Sequence, residues 1–247
     1  MTIRLMLISP AMNPALREAR FPRTDQPATT DAGPADREPG GDELDALGLR
    51  QAEAVRETFP ATATTYASPS PRCRRTAEAL GLEAKPLPAL APCAMGSWQG
   101  RTLDEVAAAE PHALASWLSD PASAPHGGES LLALLARAAH WLDTLADGTP
   151  GDGTPGDGAP RDSTAGHGTP GDGNAGGRVI VVAEPDIIRA CAVHALGATA
   201  AAFRRIDVRP LTATELSGRA GRWNLLSGRP LHSATPSPPE AALRAGH

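Results

Sequence analysis

The chain has 247 residues, 41% of them hydrophobic, which is enough to bury the core of one large α/β domain or of two small ones. Its net charge is −5, and its arginines and single lysine, Lys85, form no basic block. These features argue against a nucleic-acid partner. The excess of Ala, Gly, Pro and Arg is typical of a GC-rich bacterial genome.

The three cysteines, Cys73, Cys93 and Cys191, lie far apart and form neither a Cys-x-x-Cys pair nor a cluster with histidine. No disulfide framework, metal site or cofactor is therefore expected. The first apolar run begins at Ile3 without a basic leader, and no apolar stretch approaches the roughly 20 residues that span a bilayer. We expect a cytoplasmic protein without a membrane partner.

The first predicted element is a buried strand over Ile3 to Ile8, which ends at the small residues and proline of Ser9-Pro10-Ala11. Ligands of open α/β sheets bind beyond the carboxyl ends of the strands, so this turn is expected to form a pocket wall. A purely structural turn is the alternative. The stretch 24–41, rich in Pro, Asp, Thr and Gly, is expected to be a surface loop.

Two later segments repeat the pattern of a strand followed by a loop and a helix. A helix over 45–59 precedes a strand over 62–66, and a helix over 72–82 follows directly. The amide groups at the start of that helix, together with Arg72, are expected to face the same crevice as Ser9. The strongest apolar strand, 178–183, stops at Glu184-Pro185-Asp186 before a helix over 187–196.

The remaining elements complete a single domain over residues 1–227. Thr102 and Glu105 form a capping box at the start of a helix, and further helices are expected over 111–118 and 130–145. β-prone runs follow at 206–208, 211–216 and 222–226, the last two as an antiparallel pair. A low-complexity Gly/Asp/Thr/Pro insertion over 147–177 and a tail over 228–247 are expected to be flexible.

Four motifs follow one another on these predicted elements. They are Arg20-Phe21, the segment 67–77 (Ala-Ser-Pro-Ser-Pro-Arg-Cys-Arg-Arg-Thr-Ala), Met95-Gly96-Ser97-Trp98-Gln99-Gly100 and Gly127-Gly128-Glu129-Ser130. In this order they resemble the histidine phosphatase superfamily, of phosphoglycerate mutase-like fold, from Ile3 to Leu226. The resemblance implies a three-layer α/β/α domain with a mostly parallel central sheet.

The resemblance also shows where this chain departs from the family pattern. The family's first strand ends in Arg-His-Gly, whose histidine is the phosphorylated nucleophile; here the segment is Ser9-Pro10-Ala11. The family's second histidine aligns with Glu184, and the acidic proton donor ahead of the Gly-x-Trp motif falls on Pro92 or Ala94. The resemblance therefore implies a divergent member in which phosphohistidine chemistry has been lost.

The positive charge of the family site is retained in this comparison. Arg72 is a close match and Arg20 a good one, so an arginine-lined crevice is expected. The leading hypothesis is a pseudoenzyme that binds a small anion, either a phosphate ester or a carboxylate. A residual phosphatase is a weaker hypothesis.

An enzyme of altered chemistry is the main alternative. Glu184, with Asp186, would act as a general acid or base for an isomerase, cyclase, lyase or hydrolase reaction. In the competing interpretation, Glu184 only neutralises Arg72 or Arg20. Ser9 is a candidate substitute nucleophile, although no histidine in these loops would serve as its base.

Two aromatic side chains remain ambiguous in the sequence. Trp98 either lines the mouth of the crevice, as a ligand-binding residue, or packs beside the glycine turn. His126 precedes the Gly-Gly-Glu-Ser turn and is expected to be a solvent-exposed loop histidine, with an approach to the crevice as the alternative.

Overall fold

The structure is a computed structural model that describes residues 2–23, 43–56, 59, 63–146 and 178–231. The predicted loop 24–41, the predicted insertion 147–177 and residues 232–247 of the predicted tail lie outside the described residues. No helix in the described ranges has both the length and the apolar character needed to cross a membrane.

A six-stranded mixed sheet forms the centre of the domain. Its strands are β1 (Ile3–Ile8), β2 (Thr64–Ala67), β3 (Lys85–Pro86), β4 (Arg178–Val182), β5 (Thr212–Arg219) and β6 (Arg222–Pro230). Their spatial order is β3-β2-β4-β1-β5-β6. The pairs β1–β4, β4–β2 and β2–β3 are parallel, whereas β5 pairs antiparallel with both β1 and β6. This sheet confirms the predicted α/β class.

Helices flank the sheet on both faces. They are α1 (Pro14–Arg17), α2 (Ala46–Glu53), α3 (Pro71–Ala79), α4 (Leu103–Ala109), α5 (Pro111–Ser119), α6 (Leu131–Ala146) and α7 (Pro185–Ala195). Because side chains alternate along a strand, Leu5 and Leu7 of β1 pack toward α6 and α7, while Ile8 packs toward α2 and α3. The two apolar clusters lie on opposite faces of the sheet, so that helices, sheet and helices form the three predicted layers.

Polar caps fix where two of these helices begin. Thr102 accepts a hydrogen bond from the backbone N–H of Glu105, and the Glu105 carboxylate accepts one from the N–H of Thr102, which is the predicted capping box. At α3, the hydroxyl of Ser70 accepts the N–H of Cys73, and Pro71 occupies the first turn.

The structure corrects three predicted boundaries. Residues 206–208 are not a strand; they follow a short 3₁₀ helix, Ala200–Arg205, and have no ladder partner in the described chain. Residues 228–230, predicted to belong to the flexible tail, extend β6, because β5 offers a pairing partner as far as Thr212. The helix predicted over 45–59 ends as α2 at Glu53.

Candidate functional site

The loops that follow β1, β2 and β4 meet at the carboxyl edge of the sheet. The N–H of Ala183 donates to the carbonyl of Ile8 at 3.0 Å, and the N–H of Ser68 donates to the carbonyl of Val182 at 2.8 Å. These bonds extend the parallel pairing into the loops. The predicted convergence of the three loops is therefore observed.

Arg72 is the cation at the centre of this edge. It lies in the first turn of α3 and is only 8% exposed. Its Nη1 donates to Oδ1 of Asn13 at 3.4 Å, and its Nη2 lies 3.5 Å from Oε2 of Glu184. Among the described residues, neither Nε nor Nη2 has a hydrogen-bond acceptor. The buried guanidinium is thus only partly satisfied.

Glu184 is the anion that faces Arg72, at the start of α7. It is 9% exposed, and its Oε1 accepts a hydrogen bond of 2.8 Å from the hydroxyl of Ser70. The thiol of Cys73 lies 3.6 Å from the same oxygen. Burial, together with the charge of Glu184, raises the pKa of the Cys73 thiol well above its usual value, so the thiol stays protonated.

Asp186 lies two residues further along, in the first turn of α7. Its Oδ2 accepts the N–H of Cys93 at 2.6 Å, and its Oδ1 accepts the N–H of Ile187 at 2.8 Å. Burial, with a smaller contribution from the Glu184 charge, raises the pKa of Asp186 to about 6, against the opposing effect of the Cys93 N–H. The carboxylate therefore titrates near neutral pH while it holds the loop of residue 93.

The structure places Ser9 in a buried, hydrogen-bonded position. Its side chain is fully buried, and its hydroxyl donates to the carbonyl of Arg209 and accepts the N–H of Thr212 at 3.2 Å. These contacts fix the entry into β5. For Ser9 to act as a nucleophile or to bind a ligand, its hydroxyl would have to give up these hydrogen bonds.

The side chain of Arg20 is held by residues other than Arg72 and Glu184. Its side chain is exposed, forms an ion pair with Glu18, and donates from Nη1 to the carbonyl of Gly100 at 2.9 Å. Within the described ranges, no hydrogen bond or ion pair links Arg20 to Arg72 or Glu184. Local backbone pairing with Thr102 explains this placement, because it fixes Arg20 beside the segment that follows the Gly-x-Trp motif.

Trp98 is a core residue, which is the packing role that the sequence left open beside the ligand-binding one. Its side chain is completely buried, and its Nε1 donates to Oε2 of Glu110 at 2.9 Å. The rings of Phe21, Trp117 and His126 surround it, with centroids 5.0–5.8 Å away. The burial of the Trp98 ring among these aromatic side chains stabilises the packed position over a partly exposed one at the mouth of the crevice.

His126 is also buried, contrary to the expected exposed loop position. It is 3% exposed, and its Nδ1 accepts the N–H of Gly128 at 3.0 Å. Burial lowers the pKa of His126, so the imidazole is neutral at pH 7. The tryptophan stack holds this ring, a contact that residue spacing alone does not reveal.

The Gly-Gly-Glu-Ser turn supports the loop that carries Pro92 and Ala94. A Cβ at Gly128 would lie 1.9 Å from the carbonyl oxygen of Ala94, so only glycine allows this approach. The N–H of Glu129 donates to that same oxygen at 2.7 Å. The positions aligned with the family's acid therefore lie on a loop held by backbone contacts, with Pro92 buried.

Glu129 also forms the most complete ion pair near the site. Nε and Nη2 of Arg137 donate to its two carboxylate oxygens at 2.9 and 2.7 Å, and Nη1 donates to the carbonyls of Ala89 and Ala91 at 2.8 and 2.9 Å.

Burial also raises the pKa of the Cys93 thiol to about 12, which removes it as a nucleophile.

Sequence reasoning missed two residues of the site, Asn13 and Ser70. Both precede a proline that opens a helix, and the Asn-Pro and Ser-Pro pairs are N-cap signals. The N-cap pattern predicts the bonds to the backbone. It does not predict the bond from Arg72 to Asn13 or the bond from Ser70 to Glu184, because these form only where the loops meet.

The family model described as the histidine phosphatase superfamily (branch 1) matches residues 35–154. The match covers a little under half of the chain, which is therefore similar to this superfamily over that segment and has a phosphoglycerate mutase-like fold. No curated protein matches the chain in sequence.

Solved structures extend the similarity over nearly the whole chain. A mycobacterial glucosyl-3-phosphoglycerate phosphatase is 23% identical with a TM-score of 0.65, covering 91% of this chain and 97% of the other. Its complex with inorganic phosphate is 24% identical with a TM-score of 0.64, covering 94% of this chain and 100% of the other. The α-ribazole phosphatase of Shigella flexneri is 15% identical with a TM-score of 0.66, covering 91% and 95%. At these identities the likeness establishes the fold.

Proposed function

We propose that this protein is a degenerate member of the superfamily, which binds a small anion through Arg72 and does not form a phosphohistidine. The observation that carries the proposal is the buried guanidinium of Arg72, whose Nε and Nη2 lack acceptors among the described residues. A buried unsatisfied donor is costly, and a phosphate or carboxylate would satisfy both nitrogens in the bidentate geometry that guanidinium favours.

The residues aligned with the two family histidines support the loss of phosphoryl transfer. Pro10 has no nucleophilic atom, and its backbone has no N–H to donate. Glu184 brings a negative charge to within 3.5 Å of Arg72, where a phosphoryl group in transfer would need positive charge. Ser9 offers no substitute, because its hydroxyl is already bonded to the segment 209–212.

The number of buried cations at the site indicates the class of ligand. Arg72 is the only arginine among the described residues that is buried as a whole, and it has donors without acceptors, so a ligand with one phosphate or carboxylate group fits best. The mycobacterial neighbour has been solved with inorganic phosphate, which is in keeping with an anion in this fold. The three free thiols fit a reducing compartment, and we propose a cytoplasmic location.

Phosphate binding in equilibrium tests the proposal. We expect saturable binding of inorganic phosphate by calorimetry or by thermal stabilisation, and at least about tenfold weaker binding for Arg72→Gln, since one charge-assisted bidentate contact is lost. The matched control is Arg75→Gln, on the same helix but exposed and paired with Glu78. Equal weakening in both variants would contradict a specific site at Arg72.

Turnover of p-nitrophenyl phosphate across pH tests the lost chemistry. We expect no hydrolysis that depends on Arg72. Hydrolysis by the wild type that Arg72→Gln abolishes would overturn the proposal, because it would require a nucleophile that the loops do not otherwise provide.

A second candidate function rests on Asp186, whose pKa of about 6 suits a general acid or base. In this alternative, Glu184 and Asp186 move protons on a substrate held by Arg72, as in an isomerase, cyclase, lyase or hydrolase. Glu184→Gln separates the two candidates. It would abolish turnover by an enzyme, whereas in an anion-binding protein it would strengthen phosphate binding, because the competing carboxylate charge is gone.

A further inference from the structure

A second group of cations lies at the end of the sheet opposite Arg72, where β1 and β4 begin. In the observed register, Arg4 of β1 pairs with Arg178 of β4 and with Ser217 of β5, and Ser217 pairs with Asn224 of β6. Residues paired across adjacent strands point to the same face of the sheet. A polar row therefore crosses four strands, on the face that α2 and α3 cover further along.

A second cationic pair lies next to this row. Arg219 pairs with Arg222 at the end of the β5–β6 hairpin, two residues from Ser217 and on the same face. Positions that are diagonal across two strands are about 7–8 Å apart, so Arg219 lies within reach of the neighbourhood of Arg4. The fold thus brings together two pairs of arginines that are far apart in sequence.

Neither pair is neutralised by the protein in the described part of the chain. Arg4, Arg178, Arg219 and Arg222 are all exposed, and no ion pair to a described carboxylate involves them. Glu215, on the same face one row away, already forms an ion pair with Arg229. Like charges placed directly opposite each other across strands are destabilising, so each pair favours a bound anion.

A groove of about 350 Å³ lies at Arg219 and Arg222, next to the row that contains Arg4 and Arg178. It is lined by Thr2, Ser217, Gly218, Arg219, Arg222 and Asn224. Its volume is at the lower end of the roughly 300–1,000 Å³ of small-molecule sites. Besides the guanidiniums, the side chains of Thr2, Ser217 and Asn224 supply neutral hydrogen-bond donors.

We propose that this groove, termed the hairpin groove, is a second ligand site, specific for a small molecule that carries two phosphate or carboxylate groups. One group contacts Arg219 and Arg222, and the other contacts the row that contains Arg4 and Arg178. Two arginine pairs whose nearest members, Arg4 and Arg219, are diagonal neighbours about 7–8 Å apart fit two linked anionic groups better than one. The site is separate from Arg72, which lies at the carboxyl end of the parallel strands.

Calorimetric titration with inorganic pyrophosphate tests the hairpin groove, in the full chain carrying Arg72→Gln so that the first site is removed. We expect saturable binding, and at least about tenfold weaker binding when Arg219→Gln and Arg222→Gln are added. Orthophosphate should bind at least about tenfold more weakly than pyrophosphate, because it fills half of the site. Raising the salt concentration should weaken binding, since the arginines are exposed.

The matched control carries Arg50→Gln and Arg205→Gln, two exposed arginines away from the groove that give the same loss of charge. Its affinity for pyrophosphate should change less than about twofold. Circular dichroism checks the fold, and Arg4→Gln with Arg178→Gln is an independent pair for the same test. Equal weakening in the control, equal affinity for orthophosphate or an absence of saturable binding would overturn the proposal.

Discussion

Arg137 and Arg72 each face a glutamate in this domain, yet their guanidiniums are bonded very differently. All three nitrogens of Arg137 donate hydrogen bonds, two of them to Glu129 at 2.7–2.9 Å. Arg72 makes one long bond, to Asn13 at 3.4 Å, and Glu184 is 3.5 Å away. Arg72 is the more buried of the two, with a side chain 9% exposed against 26% for Arg137.

Burial makes this difference informative. A buried charge is tolerated when it is both paired and hydrogen-bonded, as Arg137 is, and it is costly otherwise. The Arg137–Glu129 pair is a complete structural connection that ties α6 to the loop of residues 89–91. The Arg72–Glu184 pair has unused donors, so we infer that it is the one arranged for an external anion.

Breaking the complete pair should have the largest effect on stability. Glu129→Ala leaves Arg137 without its carboxylate, and we expect a loss of about 2 to 4 kcal/mol in the free energy of unfolding. Urea unfolding followed by circular dichroism measures it. A loss of less than about 0.5 kcal/mol would show that solvent screening already dominates this pair.

Asp186 lies between the two pairs, and its titration should be the next largest effect. Its folded pKa, about 6, is above the usual 3.8, so its contribution to stability is complete below about pH 4 and is lost as the pH rises through 6. Between pH 4 and pH 7.5, wild type should lose up to about 3 kcal/mol relative to Asp186→Asn. Urea unfolding at several pH values measures the difference, and parallel curves for the two proteins would contradict it.

The incomplete pair should be nearly dispensable for stability. Arg72→Met with Glu184→Gln removes both charges at once, and we expect the free energy of unfolding to stay within about 1 kcal/mol of wild type. The matched double variant, Arg137→Met with Glu129→Gln, should lose more, because the carbonyls of Ala89 and Ala91 also lose their donor. Equal losses would remove the distinction between the pairs.

The smallest effect concerns the thiol beside the complete pair. Because burial raises the pKa of Cys93 to about 12, its alkylation by iodoacetamide at pH 8 should be far slower than that of a free cysteine. Mass spectrometry of the native and the urea-unfolded protein gives the two rates. Similar rates would mean that the loop of residue 93 opens readily.

The sequence predicted the elements whose signals are local. The apolar run of β4, the capping box of Thr102 and Glu105, and the Gly-Gly-Glu-Ser turn all appear where the pattern indicated. The strand that continues to Pro230 was missed, because its polar residues gain a partner only from β5. At the site, the Arg72–Glu184 contact was predicted and the packing of Trp98 was one of two alternatives, whereas the burial of His126 was not predicted.

The amino-acid sequence by itself determined the fold class and the residues available to the site, since apolar periodicity and helix caps act over a few neighbouring positions and the order of the motifs can be read along the chain. Only the tertiary structure decided which polar groups are satisfied. Ser9 bonds to residues two hundred positions away, and Arg72 keeps free donors because three distant loops meet around it without closing on its guanidinium. Those distances depend on how the layers pack, which no local pattern encodes.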